Sequence, residues 1–245
     1  MKKAFTMAEV LITLGIIGIV AAITIPQLIK NYQAKVYETA FKKAYSNISK
    51  AYLMTQQELG GTNISKTYTF YDASNRVYPL AKVFIDTFYK NLGVVNIADN
   101  YIITNYNKSK TFYTGSSQNS KDYYTSTGSP RPLRILPDSS SVGVVINSNT
   151  IYIDIDTNGP YQKPNRYGFD IFTFRVSNQD VIAPIKMSKL YTEEELENEK
   201  WKNVAGLPCS IMSSQTSNGF GCSYYAMNDI NPDDSKSGYW KNLPK

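Results

Sequence analysis

Residues 5–25 read FTMAEVLITLGIIGIVAAITI, and Glu9 is the one charged residue among them. The next charge after it is Lys30. As a helix this segment is roughly 30 Å long at about 1.5 Å per residue, which matches the hydrocarbon core of a bilayer. So apolar a helix cannot form the wet surface of a soluble domain. It must lie in lipid or against other apolar helices. Lys2 and Lys3 precede it, and the positive-inside tendency leaves them in the cytoplasm with the rest of the chain outside.

Three readings compete for this segment. It is a secretory signal removed after Val20-Ala21-Ala22, although the apolar run continues past that point. It is a plain anchor, in which Glu9 is a cost of up to about 3 kcal/mol with no purpose. Or the chain is cut between Ala4 and Phe5, which puts a new amine four residues from Glu9, one helical turn away. A carboxylate and an amine in apolar surroundings each need the other. The pairing can be made within one chain or between neighbouring copies. In the second case the charge fixes the axial offset of copies packed side by side.

The stretch Lys2-Lys3-Ala4-Phe5-Thr6-Met7-Ala8-Glu9-Val10 resembles the processing site of type IV prepilins and type II secretion pseudopilins. The resemblance covers the first 30 or so residues. It implies cleavage before Phe5 by a prepilin peptidase, methylation of the Phe5 amine, and recruitment of the next subunit by Glu9. It also implies a single-pass inner-membrane protein with a periplasmic or extracellular globular domain. The implied partners are copies of itself, other pilin-like subunits and an inner-membrane assembly platform. Ala4 stands where the family usually has Gly, and Met7-Ala8 replaces the commoner Leu-Ile. Gly15, Gly18 and Pro26 are expected to soften the helix, as the matching stretch does in such filaments; close packing of small residues is the alternative role for the two glycines.

Beyond Pro26 the apolar positions Leu28, Ile29, Tyr32, Val36, Ala40, Phe41, Ala44, Tyr45, Ile48 and Tyr52 keep helical spacing up to Gly60-Gly61. The chain therefore divides into a leader (1–4), one helix kinked at Pro26 (5–59) and a globular domain (60–245). The expected fold is α+β, with the second half of the helix packed on an antiparallel sheet. A helix is expected over 78–92, short strands over 101–106 and 111–114, and a loop over 116–132. Strands over 142–146 and 150–155 flank Asn147-Ser148-Asn149 as a hairpin. Further strands are expected over 169–176 and 181–187, a capped helix over 192–201, and residues 238–240 packing back onto the domain.

Chemistry is sparse. The chain has no histidine and two cysteines, which removes His-based triads and His metal sites. It also lacks the G-x-S-x-G, P-loop and G-x-G-x-x-G patterns, and no enzyme activity is expected. Net charge is +6, but no run of five basic residues marks a nucleic-acid surface. Asp154-Ile-Asp156-Thr-Asn158-Gly159 opens like a calcium-binding loop, with Asn165 or Asp170 available to close it; a plain β-turn uses the same residues. No other cofactor is suggested. Cys209 and Cys222 are expected to pair if the domain lies in an oxidising compartment. The functional expectation is a structural filament or pseudopilus subunit. The alternatives are a minor tip subunit that binds DNA, a surface or a secreted cargo, and a membrane-anchored receptor domain.

Overall fold

A computed structural model describes residues 6–61, 63–97, 133–147, 150–177, 179–186, 209–212 and 218–243. Ala4, Phe5, the strands expected over 101–106 and 111–114, the loop over 116–132 and the helix over 192–201 lie outside the described residues.

The first element is a single helix, α1, Met7–Glu58, with Pro26 inside it. It stops where Gly60 and Gly61 adopt φ of 96° and 101°, a region that side chains avoid. Its two halves differ in surroundings. From Met7 to Gln33 every residue is exposed except half-buried Ala21. From Ala34 onward one stripe is buried, namely Ala34, Phe41, Ala44, Ile48, Ala51, Tyr52 and Thr55. These positions recur at three and four residues, so they share a face.

Two short elements close the end of α1. The helix α2, Ile64–Thr67, is followed by α3, Ala81–Leu92, whose Phe84 and Phe88 are buried. Phe84 meets Tyr52 of α1 edge-on at 6.2 Å. Gly93 ends α3 in the left-handed region. The helix starts three residues later than the sequence pattern suggests, because Tyr78 and Leu80 form the turn that leads into it.

The sheet has six antiparallel strands in chain order. They are β1 (Asn96–Ile97), β2 (Arg134–Ile135), β3 (Ser141–Asn147), β4 (Thr150–Asp156), β5 (Ile171–Val176) and β6 (Ile182–Pro184). Asn147 pairs with Thr150, so β3 and β4 pair antiparallel as the expected hairpin requires. The strand expected from residue 169 begins at Ile171, because Phe169 and Asp170 belong to a turn whose N–H groups bond to Arg166 O. The strand expected over 181–187 is only three residues long, and Pro184 cannot donate to a further ladder bond.

Both faces of the central strands are buried. Ile151, Ile153, Ile155, Phe172 and Phe174 face the core beneath α1. Tyr152 and Ile171 face a second cluster with Tyr167, Ile185 and Phe220. The helix α4, Cys222–Asn228, and the 3-10 turn Trp240–Asn242 complete the domain. Cys209 and Cys222 form a disulfide. Residues 239–240 do pack back onto the core. The Tyr239 hydroxyl donates to Gly168 O at 2.6 Å and the Trp240 indole N–H to Ala226 O at 3.1 Å.

Phe41 of α1 is fully buried, with ring centres 4.6 Å from Phe172, 5.7 Å from Phe174 and 5.5 Å from Trp240. Phe41→Ala would empty the point where helix, sheet and C-terminus meet. Denaturant unfolding of the full chain in detergent should show a loss of about 3–5 kcal/mol.

Candidate functional site

The first turn of α1 is held by Thr6 and Glu9. The Thr6 backbone N–H donates to Glu9 Oε2 at 2.8 Å, and the Thr6 hydroxyl donates to the same oxygen at 2.9 Å. In return the Glu9 N–H donates to Thr6 Oγ1 at 3.3 Å. This reciprocal capping box satisfies donors that a helix start leaves unpaired. The role is absent from the expectations above, although Thr6-Met7-Ala8-Glu9 has the spacing that signals it. It places the carboxylate at the positive end of the helix, within one turn of residue 5.

The rest of the exposed half offers only apolar surface. Met7, Leu11, Ile12, Ile17, Ile19 and Ile23 are each more than 60% exposed, far more apolar surface than a monomeric soluble domain leaves bare. The Thr13 hydroxyl donates to Val10 O at 2.9 Å and the Thr24 hydroxyl to Val20 O at 2.9 Å. Both polar groups are thus satisfied within the helix, as surroundings without water require. A side chain at Gly15 or Gly18 would meet nothing within 4 Å, so no close approach among the described residues explains those glycines. Pro26 has no N–H to donate one turn back, which loosens the ladder beside them. By length and hydropathy the segment can span a membrane; a signal sequence passes the same test.

The oxygen-rich loop is organised around its own backbone. Asp154 takes the Thr173 hydroxyl at 2.5 Å on the face of the sheet that carries Tyr152. Asp156 Oδ1 accepts the N–H groups of Asn158 at 3.2 Å and Gly159 at 2.9 Å, a turn that side-chain oxygens commonly close. Gly159 has φ of 83°, and a Cβ there would lie 1.9 Å from Ser139 O, so only glycine fits. Asp170 Oδ2 accepts Asn165 N–H at 2.8 Å and its Oδ1 accepts Arg166 N–H at 2.7 Å. The amide groups of Asn158 and Asn165 donate to Lys163 O and Pro160 O, each at 3.2 Å. Among the described residues no three acidic, Cys or His side chains gather as a metal site. Asn158 also hydrogen-bonds the Asp170 carboxyl through its side chain, so Asn158, Asn165 and Asp170 share one turn, and the buried Oδ1 atoms of Asn158 and Asn165 accept no hydrogen bond among the described residues.

Comparison with known protein families, curated proteins and solved structures finds no match.

Burial pushes the Asp170 carboxyl up to about 6, against the pull of backbone N–H groups, those of Arg166 and Asn165 foremost, and of the Asn158 side chain. The folded chain therefore binds this proton more tightly than the unfolded chain, whose group titrates near 3.8. Stability from this group is full below about pH 4 and is lost as pH rises through about 6. Relative to Asp170→Asn, the wild type should lose about 2–3 kcal/mol between pH 4 and pH 7. Denaturant unfolding of both chains across that range gives the difference.

Proposed function

We propose that this chain is a structural subunit of a type IV pilus-like filament or a type II secretion pseudopilus. In this reading a prepilin peptidase cuts between Ala4 and Phe5, and α1 then leaves the inner membrane for the filament core. The carrying observation is the uncovered apolar half of α1 with Glu9 at its tip, joined without a break to a half that is locked into a folded domain. A purely anchoring helix would use that carboxylate only to cap its first turn, and Glu9 does not contact the domain.

Cleavage would leave a positive amine on Phe5, next to the Thr6 N–H that Glu9 already holds. In a bundle of such helices an amine and a carboxylate at one fixed depth are both satisfied only at one axial offset. Charge would then set the register, while the featureless apolar surface around it supplies contact area. The soft stretch from Gly18 to Pro26 gives such a filament room to extend. The Cys209–Cys222 bond supports a domain outside the cytoplasm, where disulfides persist. Because β3, β4 and β5 are buried on both faces, the domain would survive transfer from membrane to filament as a rigid body.

Glu9→Ala tests this reading. The variant should fold and insert into the membrane, because Glu9 touches nothing beyond the first turn. Its recovery in filaments sheared from cells should fall at least tenfold, since an uncompensated buried charge costs about 3–5 kcal/mol. Normal incorporation would refute the register role.

A further inference from the structure

Where α1 meets the base of the domain there is an open groove of about 550 Å³, within the range of about 300–1,000 Å³ usual for ligand sites. Its apolar walls include Ile23 and Ile29 from α1 with Phe169 and Leu243 from the domain. Among the lining residues the charged ones are Lys30 and Arg166, and neither Asp nor Glu is present. Arg166 is largely occupied, lying over the Phe169 ring at 4.3 Å and beside Asp170; it shapes the wall. The available charge is on Lys30, with Lys163 and Lys241 exposed beside the lining residues Pro164 and Trp240.

The position along α1 matters. At about 1.5 Å per residue, Ile23 lies roughly 24 Å and Ile29 roughly 33 Å from Met7, so the groove straddles the outer boundary of a bilayer core about 30 Å thick. The apolar walls then lie against the hydrocarbon, and Lys30 lies at headgroup depth with Lys163 and Lys241 exposed nearby. Trp240 lines the groove from inside, buried against Phe41 with its indole N–H on Ala226 O.

We infer that this groove binds an acidic phospholipid of the bilayer, with an acyl chain against Ile23, Ile29 and Leu243 and the phosphate among Lys30, Lys163 and Lys241. The inference rests on the membrane-anchored stage of the proposed function. A second copy inserted in the same orientation is a poorer occupant. The apolar half of its α1 carries one acid, Glu9, on the opposite side of the membrane, so that half brings no carboxylate to the lysines. Acidic headgroups answer them directly.

Trp240 provides the probe. The chain has two tryptophans, so Trp201→Phe leaves Trp240 as the reporter in the full-length chain. That chain is reconstituted into vesicles containing brominated phosphatidylglycerol or, at equal mole fraction, brominated phosphatidylcholine. The glycerol lipid should quench Trp240 more strongly. The excess should vanish in Lys30→Gln/Lys163→Gln/Lys241→Gln, with retention weakened roughly fivefold per lysine. It should also vanish in Gln33→Phe, which fills the groove and keeps every lysine. Equal quenching by the two lipids would overturn the inference. An excess that persists in Gln33→Phe would overturn it too, because charge alone would then gather the lipid. Quenching that declines as protein is added at fixed lipid would assign the groove to a second copy. Vesicle flotation separates the two levels: a chain that fails to float with either composition refutes the anchored stage, and this inference with it.

Discussion

The packing of one stripe of α1 against the sheet is the constraint on which the rest depends. Phe41 sits at its centre, touching β5 through Phe172 and Phe174 and the C-terminal turn through Trp240. Three parts of the chain far apart in sequence thus share one contact. Small residues on the same stripe, Ala34, Ala44 and Ala51, let the helix approach the sheet closely, while Ile48 and Tyr52 fill the space between. The stripe ends at Ala34, and this boundary divides the molecule. Above it α1 belongs to a protein core, and below it α1 has no partner within the described chain.

That division gives the domain one rigid handle. A second attachment keeps the handle from fraying at its far end. Gln56 donates to Asp180 O at 2.8 Å, and the Asp180 carboxylate accepts the N–H groups of Ile64 at 3.0 Å and Ser65 at 2.9 Å. The turn between β5 and β6 therefore caps α2 and clamps the end of α1 at once. Whatever force acts on the apolar half is delivered to the sheet through the stripe and this clamp. For a subunit drawn from a membrane into a filament, that is the mechanical requirement.

Much of this was legible in the residues. A continuous apolar run marks the first half of α1, three- and four-residue spacing marks the second, and Gly60-Gly61 stops it. Alternation marks β3, β4 and β5, and Asn147-Ser148-Asn149 marks where β3 and β4 pair back on each other. Other features depend on contacts that local patterns do not encode. Phe169 and Asp170 extend the alternation of β5 yet form a turn, because Gly168 at φ of 80° and the Asp170 carboxylate hold the backbone there. The strands β1 and β2 are two residues each, too short for any periodicity. The Asp180 clamp joins residues more than 110 positions apart. The oxygen pattern from Asp154 to Gly159 fits an ion loop and a turn equally well as a sequence. In the fold Asp156 and Asp170 each close a turn on backbone N–H groups, which the spacing of oxygens alone does not announce.

Glu9 remains the residue on which the functional account turns, and its meaning depends on what precedes Thr6. Intact mass and terminal sequencing of protein recovered from membranes would read this directly. A chain that begins at a methylated Phe5 is the predicted result, and it would put an amine beside the Thr6–Glu9 box. A chain that retains Met1 would make α1 a plain anchor whose carboxylate does no more than cap the helix. A chain that begins near Ile23 would be a released domain, and either of these two outcomes would contradict the filament account.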